Sequence, residues 1–146
     1  MDTAAASIAS TTILILAFDW IPTPLNRNIL HSSPRDRLPS TLIHGTIGFL
    51  FAACLSFHLH WAAIFSTVWY AIVLVAALFN WWLPYVFGIH RGEITVQAYV
   101  AEYSDNLTLL APLHKDHVIV PDVQHSLIHI AVVVSLVTSV AAIIAS

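Results

Sequence analysis

Between Leu38 and His90 the chain runs for 53 residues without Asp, Glu, Lys or Arg. Wound as a single helix at ~1.5 Å per residue, that run would be roughly 80 Å long, whereas one lipid crossing takes ~30 Å. It must therefore fold back once. Its only polar cluster near the middle, Ser56-Phe57-His58-Leu59-His60-Trp61, is the predicted hairpin. The rest of the composition agrees: 9% of the 146 residues are charged and 58% are apolar, against about 25% charged in a soluble globular chain. So little polar surface excludes a soluble domain and a disordered tail. With no clustered Lys and Arg, a nucleic-acid partner is excluded too.

Two further apolar stretches flank the central run. Thr3 to Phe18 is uncharged and diluted by Ser7, Ser10, Thr11 and Thr12; it is long enough to span only if it continues past Asp19 to about Ile21, before Pro22 and Pro24. With Asp2 and no basic residue at its start, it reads as a retained helix, not a secretory signal. Val123 to Ser146 is uncharged and comes after Pro121 and Asp122, the latter a natural helix N-cap. The expected fold class is thus all-α: one integral-membrane domain, residues 1–146, forming a four-helix transmembrane bundle with spans over about 4–21, 40–57, 61–87 and 123–145. In the third span Trp61 and Trp82 stand about 31 Å apart along a helix, as two interfacial belts would.

Four spans put both termini and the short hairpin on one side and the segments Asp19–Arg37 and Arg91–Asp122 on the other. All five basic residues (Arg27, Arg35, Arg37, Arg91 and Lys115) fall in those two segments. The positive-inside rule then predicts cytoplasmic loops, including the long one between helices 3 and 4, and external termini in a plasma or bacterial inner membrane. There the sequon Asn106-Leu107-Thr108 would stay unmodified. Glu93 to Tyr103 reads as an interfacial helix with Val96, Tyr99, Val100 and Tyr103 on its apolar side.

Lipid supplies little hydrophobic drive for helix pairing, so small and polar residues must hold the spans together. Gly45, Gly48 and Ala52 in the second span, and Ser135, Ser139 and Ala142 in the fourth, are the expected seams. Asn80, deep in the third span, needs a hydrogen-bonding partner, for which His44 and His129 are the candidates.

Nine histidines are many for this length. The topology places His31, His44, His90, His114, His117, His125 and His129 in the cytoplasmic half and His58 and His60 at the outer hairpin. His125 and His129 are four apart on one helix face, and His44 lies at a similar depth in another helix. Neutral imidazole is a common metal ligand, and two facing histidines can hold a haem iron. His44, His125 and His129, with Asn80, are therefore the candidate cofactor site, and the three histidines the candidate metal ligands; haem, a pigment or a divalent metal would suit them. His44 and His58 have the 14-residue spacing of two-haem cytochrome helices, but the fourth span offers Ser139 and Ile143 where matching histidines would stand, so two stacked haems are not expected. The spacings His125-xxx-His129 and His114-xx-His117 resemble fragments of membrane di-iron desaturase boxes, without their adjacent His-His pairs. Otherwise these residues are amphipathic anchors or hydrogen-bonded packing.

No phosphate-binding glycine loop or nucleophile elbow is present. Cys54, the only cysteine, lies mid-span, where a thiolate would be costly. No acidic residue sits at the bilayer centre, as an ion carrier would need; Asp19 at the interface is the nearest. Two stretches carry a resemblance: Asn80-Trp81-Trp82-Leu83-Pro84-Tyr85-Val86-Phe87-Gly88 and Pro121-Asp122-Val123-Gln124-His125-Ser126-Leu127-Ile128-His129. Together they resemble a family of small bacterial integral-membrane proteins of unassigned function, in which Trp-Trp-x-Pro-Tyr-x-Phe-Gly ends the third helix and His-xxx-His opens the fourth. The likeness covers Asn80 to His129, with Tyr103 and Leu110-Ala111-Pro112 filling loop elements. Leu113-His114-Lys115-Asp116-His117 stands where that family has a Pro-Arg-Gly-Asp-like segment. The resemblance implies a four-helix membrane fold and no activity.

Three functions fit: a non-enzymatic accessory or interaction subunit of a membrane assembly, self-associating or paired with other subunits; a haem-, pigment- or metal-binding membrane protein; and a small-molecule carrier.

Overall fold

In a computed structural model, which describes residues 1–145, the helices run α1 (Asp2–Trp20), a 3-10 turn (Arg27–Leu30), α2 (Pro34–Ser56), α3 (His60–Ala77), a π turn (Leu78–Trp82), α4 (Leu83–Phe87), α5 (Val96–Glu102) and α6 (Val123–Ile144). Four helical stretches are long and apolar enough to cross a membrane: Asp2–Trp20, Pro34–Ser56, His60–Phe87 and Val123–Ile144. These match the four expected spans. The second begins at Pro34, six residues before the expected start at about 40. Ser33 caps it, accepting from the Asp36 backbone N–H while the Asp36 carboxylate accepts from Ser33, and Pro34 occupies the first turn.

The other helix ends are also set locally. Asp122 Oδ1 accepts from the His125 backbone N–H at 2.7 Å, capping α6. The carbonyls of Phe18 and Ile21, at the end of α1, accept from the side-chain amide of buried Asn26 at 2.7 and 3.0 Å. The Asp19 carbonyl accepts from Arg37 Nη1 at 2.9 Å, a cation at a helix C-terminus. The α2–α3 hairpin closes with Leu59 N–H on Cys54 O and His58 N–H on Leu55 O; His58 sits at φ 56°, a left-handed position usually given to glycine. Pro84 has no N–H to continue the ladder. The chain reaches it through the π turn, where Leu83 N–H bonds Leu78 O, and the helix persists to Phe87. Pro84 thus coincides with a change of helical pitch.

The helices pack chiefly α1 against α2, α1 against α6 and α3 against α6, while the consecutive pair α2 and α3 touch far less than these three. The predicted seams are used. Gly45 and Gly48 are buried, Gly45 against Leu16 and Gly48 so close to Thr12 that a Cβ would overlap its hydroxyl. Ser135 and Ser139 are fully buried and join α6 to both neighbours: Thr11 and Ser135 hydroxyls lie 2.9 Å apart, and Ser66 donates to Ser139 at 3.1 Å. Ser7 and Thr138 add a third pair at 2.6 Å. Each such bond contributes about 0.6 kcal/mol in a bilayer. Outward positions such as Leu42, Phe49, Leu50, Phe65, Val68, Ile72, Ile130 and Val137 are exposed and apolar. These four apolar helices are compatible with a membrane location.

The segment between Phe87 and Val123 folds back over one end of the bundle. Its helix, α5, is shorter than the expected 93–103. Tyr99 is buried, but Val100 is exposed and so lies off the covered face. Asn106 Nδ2 donates to Asp122 Oδ2 at 2.7 Å while its Oδ1 accepts from the Asn28 backbone N–H at 2.9 Å. The sequon amide is therefore consumed in a buried network.

Candidate functional site

Helix polarity brings the C-terminal ends of α1 and the third span to the same end as the N-terminal ends of α2 and α6. There, where α2 and α3 part, lies a cavity of about 350 Å³. Its lining includes all four predicted site residues, His44, Asn80, His125 and His129, together with Asp19, Arg37, Trp81, Tyr103 and Gln124. The exposed residues Asp36 and Glu102 stand at its edge, while Trp81, Gln124 and His129 are buried. Residues grouped from the sequence thus share one cavity, but the structure gives several of them different partners.

His125 is held on two sides. Its Nδ1 lies 2.8 Å from Oδ1 of Asp122, and its ring stacks on Trp81 at 3.8 Å between centroids and 28° between planes. Tyr103 meets it edge-on at 5.3 Å. Asp122 is completely buried. Burial alone would raise its pKa, but hydrogen bonds from His125 and Asn106 outweigh this and hold the carboxyl below the ordinary carboxylate value. Burial, reinforced by the negative charges of Glu102 and Asp122, pushes the Tyr103 phenol up to about 12. Tyr103 therefore remains protonated throughout the physiological range.

His129 Nδ1 is 3.1 Å from Nε1 of Trp82. An indole N–H only donates, so Nδ1 must accept, and the neutral ring carries its proton on Nε2. That tautomer leaves no imidazole lone pair for a metal. Coordination by His129 would require breaking the Trp82 bond. Among the described residues no three His, Cys, Asp or Glu side chains converge closely enough to hold a metal ion. His44 packs its ring against Trp69 at 5.9 Å. The three histidines therefore share a cavity without forming a ligand set, and this arrangement does not fit a haem or metal held by His129.

Asn80 does not bond His44 or His129, the partners expected of it. Its Oδ1 accepts from the backbone N–H groups of Glu93 (2.6 Å) and Ile94 (3.1 Å), and its Nδ2 donates to Ala76 O. The amide ties the returning chain to the third span, and Gly92 is there because a Cβ would strike Asn80. Trp81 and Tyr85 face inward: Trp81 belongs to an apolar cluster with Tyr99 and Ile119, and Tyr85 donates to Ala111 O at 3.0 Å. Of the loop histidines, His117 docks beside this corner, its Nδ1 2.7 Å from Tyr85 O.

Gln124 went unnoticed in the sequence. It is 5% exposed, and its Oε1 is a buried acceptor with no hydrogen-bond partner among the described residues. The available signal was the stripe Gln124, His125, Ile128 and His129 along one helix face. Asp19 was read as an interfacial residue and Arg37 as one of the loop cations. Asp19 Oδ2 accepts from Thr41 at 3.0 Å, and Arg37 lies over the Trp20 ring at 5.1 Å.

No protein-family model matched the chain, and neither did any curated protein or solved structure.

Proposed function

We propose that this chain is an integral-membrane protein that binds a small molecule, without transforming it, in the cavity at one end of its four-helix bundle. The observation that carries this reading is a cavity of about 350 Å³ lined by residues of all four spans, with the buried, unpartnered Gln124 Oε1 among them. That volume lies within the range of small-ligand sites. A buried polar atom without a partner costs about 1–3 kcal/mol, which a bound donor would recover. Binding is favoured over catalysis because, among the described residues, the hydrogen bonds of the His125 ring run to Asp122 and not to a serine or cysteine. By the positive-inside rule the cavity end, with Arg27, Arg35, Arg37, Arg91 and Lys115, faces the cytoplasm and both termini lie outside.

Substituted-cysteine labelling tests this. In a Cys54→Ser background, Ser40→Cys should react with a membrane-impermeant maleimide only when the cytoplasmic face is open, and Thr3→Cys only from outside. The reverse pattern would overturn the orientation, and labelling of both from one face would overturn the placement of the cavity and the N-terminus on opposite sides. A Ser40→Cys protein that stays unlabelled from both faces, yet reacts once unfolded, would overturn a water-accessible cavity.

A second reading, a subunit of a larger membrane assembly, is favoured by a separate groove of about 370 Å³ on the outer face of α3 and α6. It is lined mainly by the aliphatic residues Leu74, Leu78, Ile130, Val133 and Val134, with Trp82, Ser126 and His129 completing it. Native mass spectrometry from lipid nanodiscs distinguishes a monomer from a stable assembly.

A further inference from the structure

We infer that the cavity accepts a small organic cation with N–H donors, such as a primary ammonium, and rejects a carboxylate of the same size. This rests on the binding role proposed above and specifies its ligand. Gln124 supplies the first reason. Its unpartnered Oε1 is an acceptor only, so the group that completes it must donate.

The charges supply the second. Asp19, Asp36 and Glu102 line the cavity against a single Arg37. Arg37 is already engaged: Nη1, Nε and Nη2 donate to the carbonyls of Asp19, Ser33 and Ser32 at 2.9, 3.3 and 3.5 Å, and its face covers Trp20. An anion would meet three carboxylates and a guanidinium whose donors are largely spent. A cation would meet the carboxylates and the free amide oxygen. His125 adds to this. With its Nδ1–H donated to Asp122, the Nε2 lone pair of the neutral ring is an additional acceptor.

The test uses the full chain in nanodiscs at neutral pH, titrated with n-butylammonium, n-butyrate and n-butanol, and monitored by calorimetry and by the Trp81 indole resonance. The expected result is saturable n-butylammonium binding that shifts Trp81, with n-butanol at least tenfold weaker and n-butyrate not binding. Gln124→Leu should weaken n-butylammonium at least tenfold and Asp19→Asn at least threefold, with each variant's melting temperature measured in parallel to verify folding. Saturable n-butyrate binding that shifts Trp81 would overturn the charge preference and leave a binding cavity standing. Butylammonium binding unaffected by both substitutions would overturn the site. Absence of binding by all three probes would overturn the cation inference; the labelling of Ser40→Cys separately decides whether the cavity is open.

Discussion

The indole N–H of Trp82 points at Nδ1 of His129 across 3.1 Å, joining the last turn before Pro84 in the third span to the second turn of α6. The contact fixes the histidine tautomer and anchors the two helices to each other at the cavity. Because His129 is 8% exposed, water cannot readily replace a lost donor.

Trp82→Phe should therefore destabilise the protein by about 1–3 kcal/mol, the cost of a buried acceptor left alone. It should also release the tautomer lock. Nitrogen-15 chemical shifts of the His129 ring are expected to show Nε2–H alone in the parent and a mixture in the variant. Unchanged shifts would mean that another group sets the tautomer.

The two seam glycines should respond differently. A Cβ at Gly45 would rest 3.5 Å from Leu16, an ordinary contact, whereas at Gly48 it would overlap Thr12. Gly45→Ala is expected to be nearly neutral. Gly48→Val should cost about 1–3 kcal/mol by forcing α1 and α2 apart. Chemical unfolding in detergent micelles reads both.

His58 carries a positive φ at the tip of the α2–α3 hairpin. An L-residue there is strained by about 1–2 kcal/mol, and glycine relieves the strain while adding entropy to the unfolded chain. His58→Gly should raise stability by ~0.5–1 kcal/mol, read by the same unfolding measurement. Its contact with Asp2, 3.8 Å between two exposed side chains, offers little to lose.

Asp122 predicts an acid limit. Its folded pKa lies below the unfolded value of about 3.9, so its contribution is present above that value and is lost as pH falls through the lower folded pKa. Melting temperature should hold from pH 6 to about 4 and drop below that range. In Asp122→Asn the residual slope below pH 4 should flatten, and the plateau itself should fall because the α6 cap and the His125 contact are weakened. A parent curve that begins to fall near pH 5 would contradict a depressed Asp122.

Much of this architecture is local in origin and was legible residue by residue. The uncharged run from Leu38 to His90 requires a return, because its helical length exceeds a bilayer. Asp122 caps α6 by accepting from a backbone N–H only three residues on, and Gly48 marks a seam because lipid-phase pairing needs close backbones. Spacing by four put His125 and His129 on one face.

Other features, decided only by the tertiary structure, depend on helix phase and on chain far away in sequence. The π turn at Leu78–Trp82 adds a residue to one turn, rotating the residues beyond it by about 100° relative to a regular helix. Trp81 meets His125 and Trp82 meets His129 on that altered phase, whereas the distance from Trp61 along the helix assigned Trp82 to an interfacial belt without saying which way it faces. Asn80 found its partners in Glu93 and Ile94 because the segment after Gly88 folds back over the bundle. The sequence alone determined how many apolar helices form and where they end, since length and capping are local quantities. The isolation of Gln124 Oε1, and with it the character of the cavity, arose only when four helices and a returning loop had satisfied the other polar groups around it.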